Sequence, residues 1–252
     1  MLSAKSPSPS FLRNGPIFPT DNQIQEKLAP IKTHLPKDPS FIIESVPVYS
    51  PDEISSKLLK LMYENFNEEI TNGETYPQYE PYETIEEYKD YWFHSFTCIL
   101  LKKDDPSTNI LDFIKKEDIE NWEDYYLGSF YIKPNYAGRC SHICNAGFFI
   151  PPKYRGYKIS YRLGQFYLKY APKLGYSQSI YNLVFTPNIG SWKTWERLRF
   201  QRIGTIPNVA VLSKKQMAIT SKDYKQYDYE FTDAYIYSKN LLNIEQDLFD
   251  DM

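Results

Sequence analysis

The stretch from residue 145 to residue 204 decides the fold of this chain. It begins NAGFFIPPKYRGYKIS at Asn145, continues through a helical pattern and an apolar run, and closes with SWKTWERLRFQRIG, which ends at Gly204. The spacing of its apolar residues predicts the order strand, tight loop, helix, strand, short helix, strand. A strand–helix–strand unit of this length requires a parallel pair of strands joined by a right-handed crossover.

The two predicted parallel strands flank an amphipathic helix, whose one-sided apolar residues are Ile159, Leu163, Phe166, Tyr167 and Tyr170. The first strand, residues 145–150, stops at Pro151 and Pro152, because proline cannot donate to a strand ladder. Gly175 supplies the left-handed residue that commonly ends a helix. The second strand, residues 176–185, is apolar and rich in β-formers, so we expect it to be buried on both faces.

The loop before this helix has the chemistry of an anion site. The segment Arg155-Gly-Tyr-Lys-Ile-Ser160 opens the helix, where free N–H groups and the positive end of the helix dipole converge. A glycine and two basic residues at such a place suit a phosphate or pyrophosphate. One glycine beside basic residues is also typical of an ordinary turn, so the loop alone leaves both interpretations open.

This loop resembles the pyrophosphate-binding signature of the Gcn5-related N-acetyltransferases, Gln/Arg-x-x-Gly-x-Gly/Ala, which binds acyl-coenzyme A. Downstream, residues 188–200 are similar to that superfamily's Asn-x-x-Ala…Leu-Tyr-Glu-Lys-x-Gly-Phe helix. Two differences matter. Only the middle glycine of the loop is kept, as Gly156, and Trp195 stands where the superfamily often has a tyrosine that protonates the departing thiolate. The binding role survives these differences better than the acid role.

A more specific resemblance is to the fungal proline-analogue N-acetyltransferases, which detoxify azetidine-2-carboxylate. It covers the chain from Leu12 to Tyr237 with several long segments in matching order. In that family lysine also occupies the position of Lys158, whereas Ser160 replaces a glycine. The matching segments are LRNGP at 12–16, TYPQ at 75–78, YWFHSF at 91–96, FYIKPNYA at 130–137, RCSH at 139–142, CNAGF at 144–148 and FQRIG at 200–204.

The resemblance implies an α/β fold of the Gcn5-related type. In this fold, helices flank a mixed central β-sheet that contains two splayed parallel strands. The co-substrate acetyl-CoA binds in the gap between these two strands. It implies that Asn145 and Asn182 orient the amine and carboxylate of the acceptor, with Leu183 beside them. The residues implied to bind acetyl-CoA are Phe148, Phe149, Ile150, Arg155, Gly156, Tyr157, Lys158, Ile159, Ser160, Asn188 and Trp192.

The three asparagines Asn145, Asn182 and Asn188 are the implied catalytic residues. The resemblance places Asn188 beside the thioester or thiolate, where it partly serves for the missing tyrosine. Each asparagine also has an ordinary structural interpretation, a turn for Asn145 or a helix N-cap for Asn188. Asn182 differs, because an amide inside an apolar run is costly to bury without partners. Since asparagine is neither acid nor base, we expect a backbone carbonyl or water to accept the proton.

Composition bears on other classes of function. The net charge is −3, so no basic field favours nucleic acid. No apolar run is long enough to span a membrane. The three cysteines, Cys98, Cys140 and Cys144, form no disulfide framework and favour a reducing, cytoplasmic compartment. Cys140, His142 and Cys144 lie close together, but their alternate spacing is not a common zinc pattern, so we predict no metal.

The chain length of 252 residues favours a single domain, which we place at residues 12–240. We expect residues 1–11 to be a disordered extension. A mitochondrial presequence is the alternative, but four prolines in the first 20 residues disfavour its helix. Residues 241–252 form an acidic tail that we expect to be solvated. Residues 208–231 carry no assignable chemistry, and the family resemblance suggests a homodimer.

Outside the central stretch, local signals predict further elements. Ser50 and Pro51 predict the start of a helix that packs on the sheet, and Thr84 opens a capping box for a second helix. We predict strands at 97–102, 127–132 and 233–238. Residues 103–124 are charged and are expected to form a surface connection, and residues 133–144 the turn of a hairpin.

Three functional hypotheses follow. The first is an acetyl-CoA-dependent N-acetyltransferase for small cyclic imino acids such as azetidine-2-carboxylate, cis-4-hydroxyproline and pyrroline-5-carboxylate. The second is an N-acetyltransferase of the same fold that acetylates an amine of a protein or a polyamine. An acidic groove or an extended cleft would favour this hypothesis. The third is a non-catalytic acyl-CoA sensor, which Trp195 and Ser160 would favour. Fold alone does not decide among them.

Overall fold

The computed structural model describes residues 27–36, 38–213 and 229–252. Its strands are β1 Ile31–Leu35, β2 Asp38–Val48, β3 Phe96–Lys102, β4 Tyr126–Pro134, β5 Ile143–Phe149, β6 Gln178–Phe185, β7 Gln201–Ser213 and β8 Tyr229–Asn240. Its α-helices are α1 Ser56–Asn72, α2 Ile85–Trp92, α3 Ile110–Phe113, α4 Ile159–Tyr170 and α5 Ile189–Arg197. The strands form one mixed sheet in the order β1-β2-β3-β4-β5-β6-β8-β7. The predicted α/β class with a mixed central sheet is confirmed.

The sheet carries a separate hydrophobic core on each face. On one face α1 and α2 pack against the sheet, with Phe66, Trp92 and Tyr131 in the core. On the other face α4 and α5 pack, with Phe166 and Trp195 in the core. Alternate residues of each strand face opposite sides, so neighbours along β4 or β5 belong to different cores. This alternation decides which side chains reach each side of the sheet near the site.

The parallel strands β5 and β6 pair over two positions and then separate. Ile143 lies opposite Gln178 and Cys144 opposite Ser179, and no further pairing follows. β6 stays paired with β8, with a register shift between Tyr181 and Val184. The predicted splay is therefore confirmed. The expectation that β6 is buried on both faces is wrong, because beyond Ser179 it lacks β5 as a neighbour and Leu183 is 41% exposed.

Two predictions on the N-terminal half need correction. Ser50 caps only a 3-10 turn, Pro51–Glu53, and α1 begins at Ser56 with Ser55 as its N-cap. The two are separate because Ile54 between them is extended. Residues 103–124 are not merely a surface connection, since they contain α3 and bury Ile110 and Trp122. The capping box at Thr84 is confirmed.

The acidic tail is docked on α4, which contradicts the expectation of a solvated segment. It forms a 3-10 turn, Gln246–Phe249, whose Leu248 is buried. The reason lies in Arg162, which is fully buried and finds a partner for its charge in Asp251, at 3.0 Å. A buried guanidinium needs such acceptors, so the tail completes the core. The predicted extension at residues 1–11 and most of 208–231 lie outside the described residues, and the domain limits at 12 and 240 stay predictions.

The cysteine segment serves packing in the structure. The Cys144 thiol is buried and lies 3.0 Å from the Tyr167 hydroxyl, while Cys140 is exposed. Burial raises the pKa of the Cys144 thiol to about 12. Over the described ranges, His, Cys, Asp and Glu form no group of three that could hold a metal ion. None of the helices in these ranges is both long and apolar enough to cross a membrane.

Candidate active site

A cavity of about 840 Å³ opens where β5 and β6 separate. The residues that line it fall into two groups, which we treat as two halves of the cavity. The first, which we call the loop half, is bounded by Arg155, Gly156, Lys158, Ser160 and the first turns of α5. The second, the asparagine half, is bounded by Tyr76, Gln78, Tyr91, Tyr131, Lys133, Asn135, Asn145 and Asn182. The splay joins the two halves, so a ligand can pass from one to the other.

The loop half is built mainly from backbone. Gly156 has φ of +86° and Lys158 φ of +63°, so both adopt left-handed backbone. An added Cβ at Gly156 would meet nothing within 4 Å, so glycine is needed there for its conformation rather than for space. The first bond of α4 runs from the Arg162 N–H to the Lys158 carbonyl, at 3.3 Å.

Four of the N–H groups that precede this bond have no acceptor among the described residues. Those of Gly156, Tyr157, Ile159 and Ser160 donate to no carbonyl or side chain of the described residues. They stand at the N-terminus of α4, where the helix dipole adds positive potential. Successive N–H groups in such a turn form a concavity that suits an anion. The geometry therefore has the form that the sequence predicted for a phosphate site.

Arg155 connects this loop to the opposite wall of the cavity. Its Nη2 donates to Oε2 of Glu69 at 2.6 Å, and its Nε to the carbonyl of Ile150 at 3.3 Å. The other oxygen of Glu69 accepts from the Thr75 hydroxyl at 2.6 Å. Glu69 thus links the loop half to the segment that carries Tyr76 and Gln78. Part of the guanidinium predicted to bind a phosphate is committed to this carboxylate.

At the start of α5, Asn188 and Trp195 both line the cavity. The Asn188 Oδ1 accepts from the Ser191 N–H at 3.1 Å, so the N-cap interpretation is confirmed, and its Nδ2 donates to none of the described residues. The Trp195 indole N–H donates to the Ser191 hydroxyl at 3.0 Å. Its ring centroid lies 4.6 Å from that of Tyr181 and 4.7 Å from that of Phe148.

Most residues predicted for the site line the cavity, but two lie outside it. Tyr157 is 56% exposed and packs beside Tyr154. Trp192 turns to the opposite side of α5, where its indole donates to the Thr186 carbonyl at 3.2 Å and packs on Tyr235. The predicted residues that line the cavity are Asn145, Phe148, Phe149, Ile150, Arg155, Gly156, Lys158, Ile159, Ser160, Asn182, Leu183 and Asn188.

The asparagine half contains a hydrogen-bonded set of three amides. Asn182 donates to the Oδ1 of Asn135 at 2.6 Å, and Asn135 donates back to Asn182 at 3.3 Å. Asn145 donates to the same Oδ1 of Asn135 at 3.2 Å and to the carbonyl of Ile180 at 3.2 Å. The Oδ1 of Asn145 receives no hydrogen bond from the described residues. These bonds bridge the gap between β5 and β6 and fix the direction of all three amides.

Around the amides stand tyrosines and one lysine. The Nζ of Lys133 lies 4.9 Å from the ring centroid of Tyr131 and 5.2 Å from that of Tyr91. The two tyrosine hydroxyls are 3.0 Å apart, and burial raises the pKa of both, so these rings stay neutral. Burial lowers the pKa of Lys133. Tyr76 closes the wall by donating to the Phe148 carbonyl at 2.9 Å.

A match over 192 residues identifies the family. No family model matches the chain. However, it is 37% identical to the N-acetyltransferase aca1 of Schizosaccharomyces pombe, over 76% of this chain and 84% of aca1. The chain belongs to this family of N-acetyltransferases. It is also 28% identical to Protein SPT10 of Saccharomyces cerevisiae, over 89% of this chain but only 39% of SPT10, so it spans well under half of that relative.

The fold of this N-acetyltransferase is that of the Gcn5-related type. It superposes on a Gcn5-related N-acetyltransferase from Kribbella flavida with a TM-score of 0.57 at 19% identity, over 79% of this chain and 97% of that one. It superposes on a phosphinothricin acetyltransferase from Sinorhizobium meliloti in complex with acetyl-CoA, with a TM-score of 0.53 at 12% identity, over 82% and 97%. The fold predicted from the resemblance is confirmed.

Sequence reasoning missed most residues that bound the asparagine half of the cavity in this N-acetyltransferase. The missed residues are Tyr76, Gln78, Tyr91, Tyr131, Lys133 and Asn135. All six lie within three of the matching segments, at 75–78, 91–96 and 130–137. Those segments were used only as marks of relationship. Asking why each contains polar residues between aromatic ones would have pointed to a lined pocket.

Proposed function

We propose that the protein is an acetyl-CoA-dependent N-acetyltransferase that acetylates the secondary amine of small cyclic imino acids. Its acceptors would include azetidine-2-carboxylate, cis-4-hydroxyproline and pyrroline-5-carboxylate. The observation that carries this proposal is the set of three hydrogen-bonded asparagines at the splay, Asn135, Asn145 and Asn182. They present fixed polar groups to a small acceptor at the place where the two halves of the cavity meet.

The loop half suits acetyl-CoA. The N–H groups of Gly156, Tyr157, Ile159 and Ser160 would donate to the pyrophosphate, and the separated edge of β5 would run beside the pantetheine arm. Two solved structures with the same fold were determined with acetyl-CoA, the proteins from Sinorhizobium meliloti and Salmonella typhimurium. Because the loop half uses mostly backbone, it tolerates the lysine and serine that replace the superfamily's other signature residues.

The asparagine half suits the acceptor amine. Nitrogen must be neutral to attack the thioester carbon, and its remaining N–H then needs an acceptor. The Oδ1 of Asn145 is such an acceptor, since its own Nδ2 is held by Asn135 and Ile180. The amide geometry therefore positions the nitrogen toward the gap between β5 and β6. The proton released after attack passes to water, which a backbone carbonyl can orient by accepting a hydrogen bond, since the asparagine side chains are not bases.

The departing thiolate needs a donor at the start of α5. Trp195 does not supply one, because an indole is no useful acid and its N–H is committed to Ser191. Asn188 lines the cavity with an uncommitted Nδ2. It would stabilise the oxyanion or the thiolate by hydrogen bonding as charge develops. The N-cap bond made by its Oδ1 fixes the direction of that donor.

In the cell, acetylation of a toxic proline analogue would remove the nucleophilic amine and so detoxify the compound. We propose a cytoplasmic enzyme that works as a homodimer and needs no metal. A second candidate, a non-catalytic acyl-CoA sensor, is favoured by one observation, the indole at Trp195 in place of an acid. A protein or polyamine acceptor has less support, because the acceptor wall carries a lysine rather than the acidic groove such an amine would favour.

The experiment is to measure free thiol released from acetyl-CoA by the purified protein, with and without azetidine-2-carboxylate. We expect release that depends on the imino acid and that is lost in Asn182→Ala. Binding of CoA measured by calorimetry should be the same in both proteins. Tight CoA binding without release in the presence of any imino acid would contradict the proposal and support the sensor.

A further inference from the structure

We propose that Lys133 anchors the carboxylate of the acceptor and thereby restricts the enzyme to amines that carry an α-carboxylate. This inference rests on the proposed function and adds a specificity-determining residue to it. Lys133 was not among the residues predicted from sequence. It lies on β4, directly opposite Asn145 on β5, and lines the asparagine half of the cavity.

The charge of Lys133 lacks a counter-ion in the part of the chain that the structure describes. Among the described residues no carboxylate lies within ion-pair distance of its Nζ, and no hydrogen bond holds it. Its neighbours are the faces of Tyr91 and Tyr131, which stabilise a cation by their quadrupoles. Aromatic faces lower the free-energy cost of desolvating an ammonium group, but they do not neutralise its charge. An anionic group of a ligand would complete the site.

The rest of the cavity offers Lys133 little opposing charge. Among the described residues that line it, the one carboxylate is that of Glu69, which is occupied by Arg155 at 2.6 Å and by Thr75. The tyrosines on the acceptor side stay neutral, because burial raises their pKa. The acceptor side therefore has positive potential from Lys133. A cationic polyamine would be repelled there, whereas a carboxylate would be attracted.

Lys133 and Asn145 are neighbours on the same face of the sheet. They are cross-strand partners, and the Cβ atoms of such a pair in antiparallel strands lie about 4.5–5.5 Å apart. An α-imino acid has its nitrogen and its carboxylate on one carbon atom. One such molecule can place its amine on the Oδ1 of Asn145 and its carboxylate on the Nζ of Lys133. An amine without a carboxylate satisfies only the first of these groups.

The test compares an acid with its neutral amide. Azetidine-2-carboxylate and azetidine-2-carboxamide share ring and size but differ in the charge that Lys133 would bind and in the pKa of the amine, so each rate constant is expressed per neutral amine before the two are compared. Thiol release from saturating acetyl-CoA gives kcat/KM for each compound with the wild-type protein, Lys133→Met and Lys133→Arg. The matched control is Lys169→Met, because Lys169 also lies over an aromatic ring, at 4.2 Å from the centroid of Phe249, outside the cavity.

We expect the wild-type protein to prefer the acid, and Lys133→Met to lose that preference through a fall of about 10- to 100-fold for the acid alone, as for a lost charge-assisted hydrogen bond. Lys133→Arg should keep part of the preference for the acid, and Lys169→Met should keep all of it.

Equal use of acid and amide by the wild type, or a preference that survives in Lys133→Met, would overturn the anchor while the proposed function stands. An equal fall of kcat for both compounds would instead give Lys133 a role in proton transfer and overturn the anchor. If the wild type uses neither compound, the proposed function fails and the anchor fails with it.

Discussion

The two halves of the cavity are built by different means. The loop half presents backbone N–H groups from one continuous segment, Arg155 to Ser160, fixed by two left-handed residues and a helix start. The asparagine half presents side chains from segments far apart in the chain, Tyr76 to Asn182. Backbone groups are present whatever the side chain is, so the loop half can change sequence and keep its chemistry. The asparagine half loses a group with each substitution.

The largest expected effect is therefore in the asparagine half. Asn182→Leu removes two hydrogen bonds and leaves the Nδ2 of Asn135 without its acceptor. An unsatisfied buried polar group costs about 1–3 kcal/mol. We expect kcat/KM for azetidine-2-carboxylate to fall about 100-fold, with the KM for acetyl-CoA unchanged, measured by thiol release.

The matched control is the double variant Asn135→Leu with Asn182→Leu. Removing both partners leaves no orphaned amide in that pair, so the effects of the two changes should not add. The melting temperature of the double variant should exceed that of Asn182→Leu alone. Additive losses in both activity and stability would show that the amides act independently and would contradict the network.

The contrast between a half built from one segment and a half built from distant segments also explains which parts of the fold and of the site could be predicted from the sequence. The prediction of α4 and of the loop before it comes from local patterns, because the period of apolar residues and a glycine at a helix start are set by neighbouring residues. The splay was expected from the family resemblance. The capping box at Thr84 is equally local. Asn135 could not be assigned a role this way, since it acquires one only when folding brings it to Asn145 and Asn182.

Two differences between the expected and the observed placement of side chains have the same cause. Trp192 lies one residue from the cavity-lining Ser191, and only the rotation of α5 turns its indole away toward Tyr235. The tail was expected to be solvated because it is acidic, yet Asp251 is held by the buried Arg162 of α4. In both cases a distant partner, which no local pattern contains, decides the position of the side chain.

The loop half can be tested with Gly156→Ala. Gly156 has φ of +86° and free space around its Cβ position, so the substitution adds backbone strain without a clash. Left-handed backbone costs a non-glycine residue about 1–2 kcal/mol. We expect the KM for acetyl-CoA to rise about tenfold and the KM for the imino acid to stay unchanged, both measured by thiol release.

Gly138→Ala is the control for this change. Gly138 has φ of +60°, also has free space at its Cβ position, and lies in a turn outside the cavity. Gly138→Ala should lower the melting temperature about as much as Gly156→Ala does, and it should leave the KM for acetyl-CoA unchanged. If both variants left the KM for acetyl-CoA unchanged, the backbone conformation at Gly156 would not be what holds the coenzyme.

The smallest effect is expected at the junction of the halves, where Asn188 has two roles on two atoms. Its Oδ1 caps α5, and its Nδ2 is the proposed donor to the thioester or thiolate. Asn188→Ala should lose both roles. Loss of an N-cap costs about 1 kcal/mol, which lowers the melting temperature of a chain of this size by about 2–4 °C. We expect kcat to fall several-fold, with little change in the KM for the imino acid.

Asn188→Ser separates the two roles, because serine caps a helix about as well as asparagine but its shorter side chain lacks the amide donor. The melting temperature should return to that of the wild type while kcat stays low. If kcat also recovers, Asn188 acts only by placing α5, and the donor to the thiolate must be another group. The N–H groups of the loop half would not be that donor, because in the proposal they bind the pyrophosphate rather than the thioester.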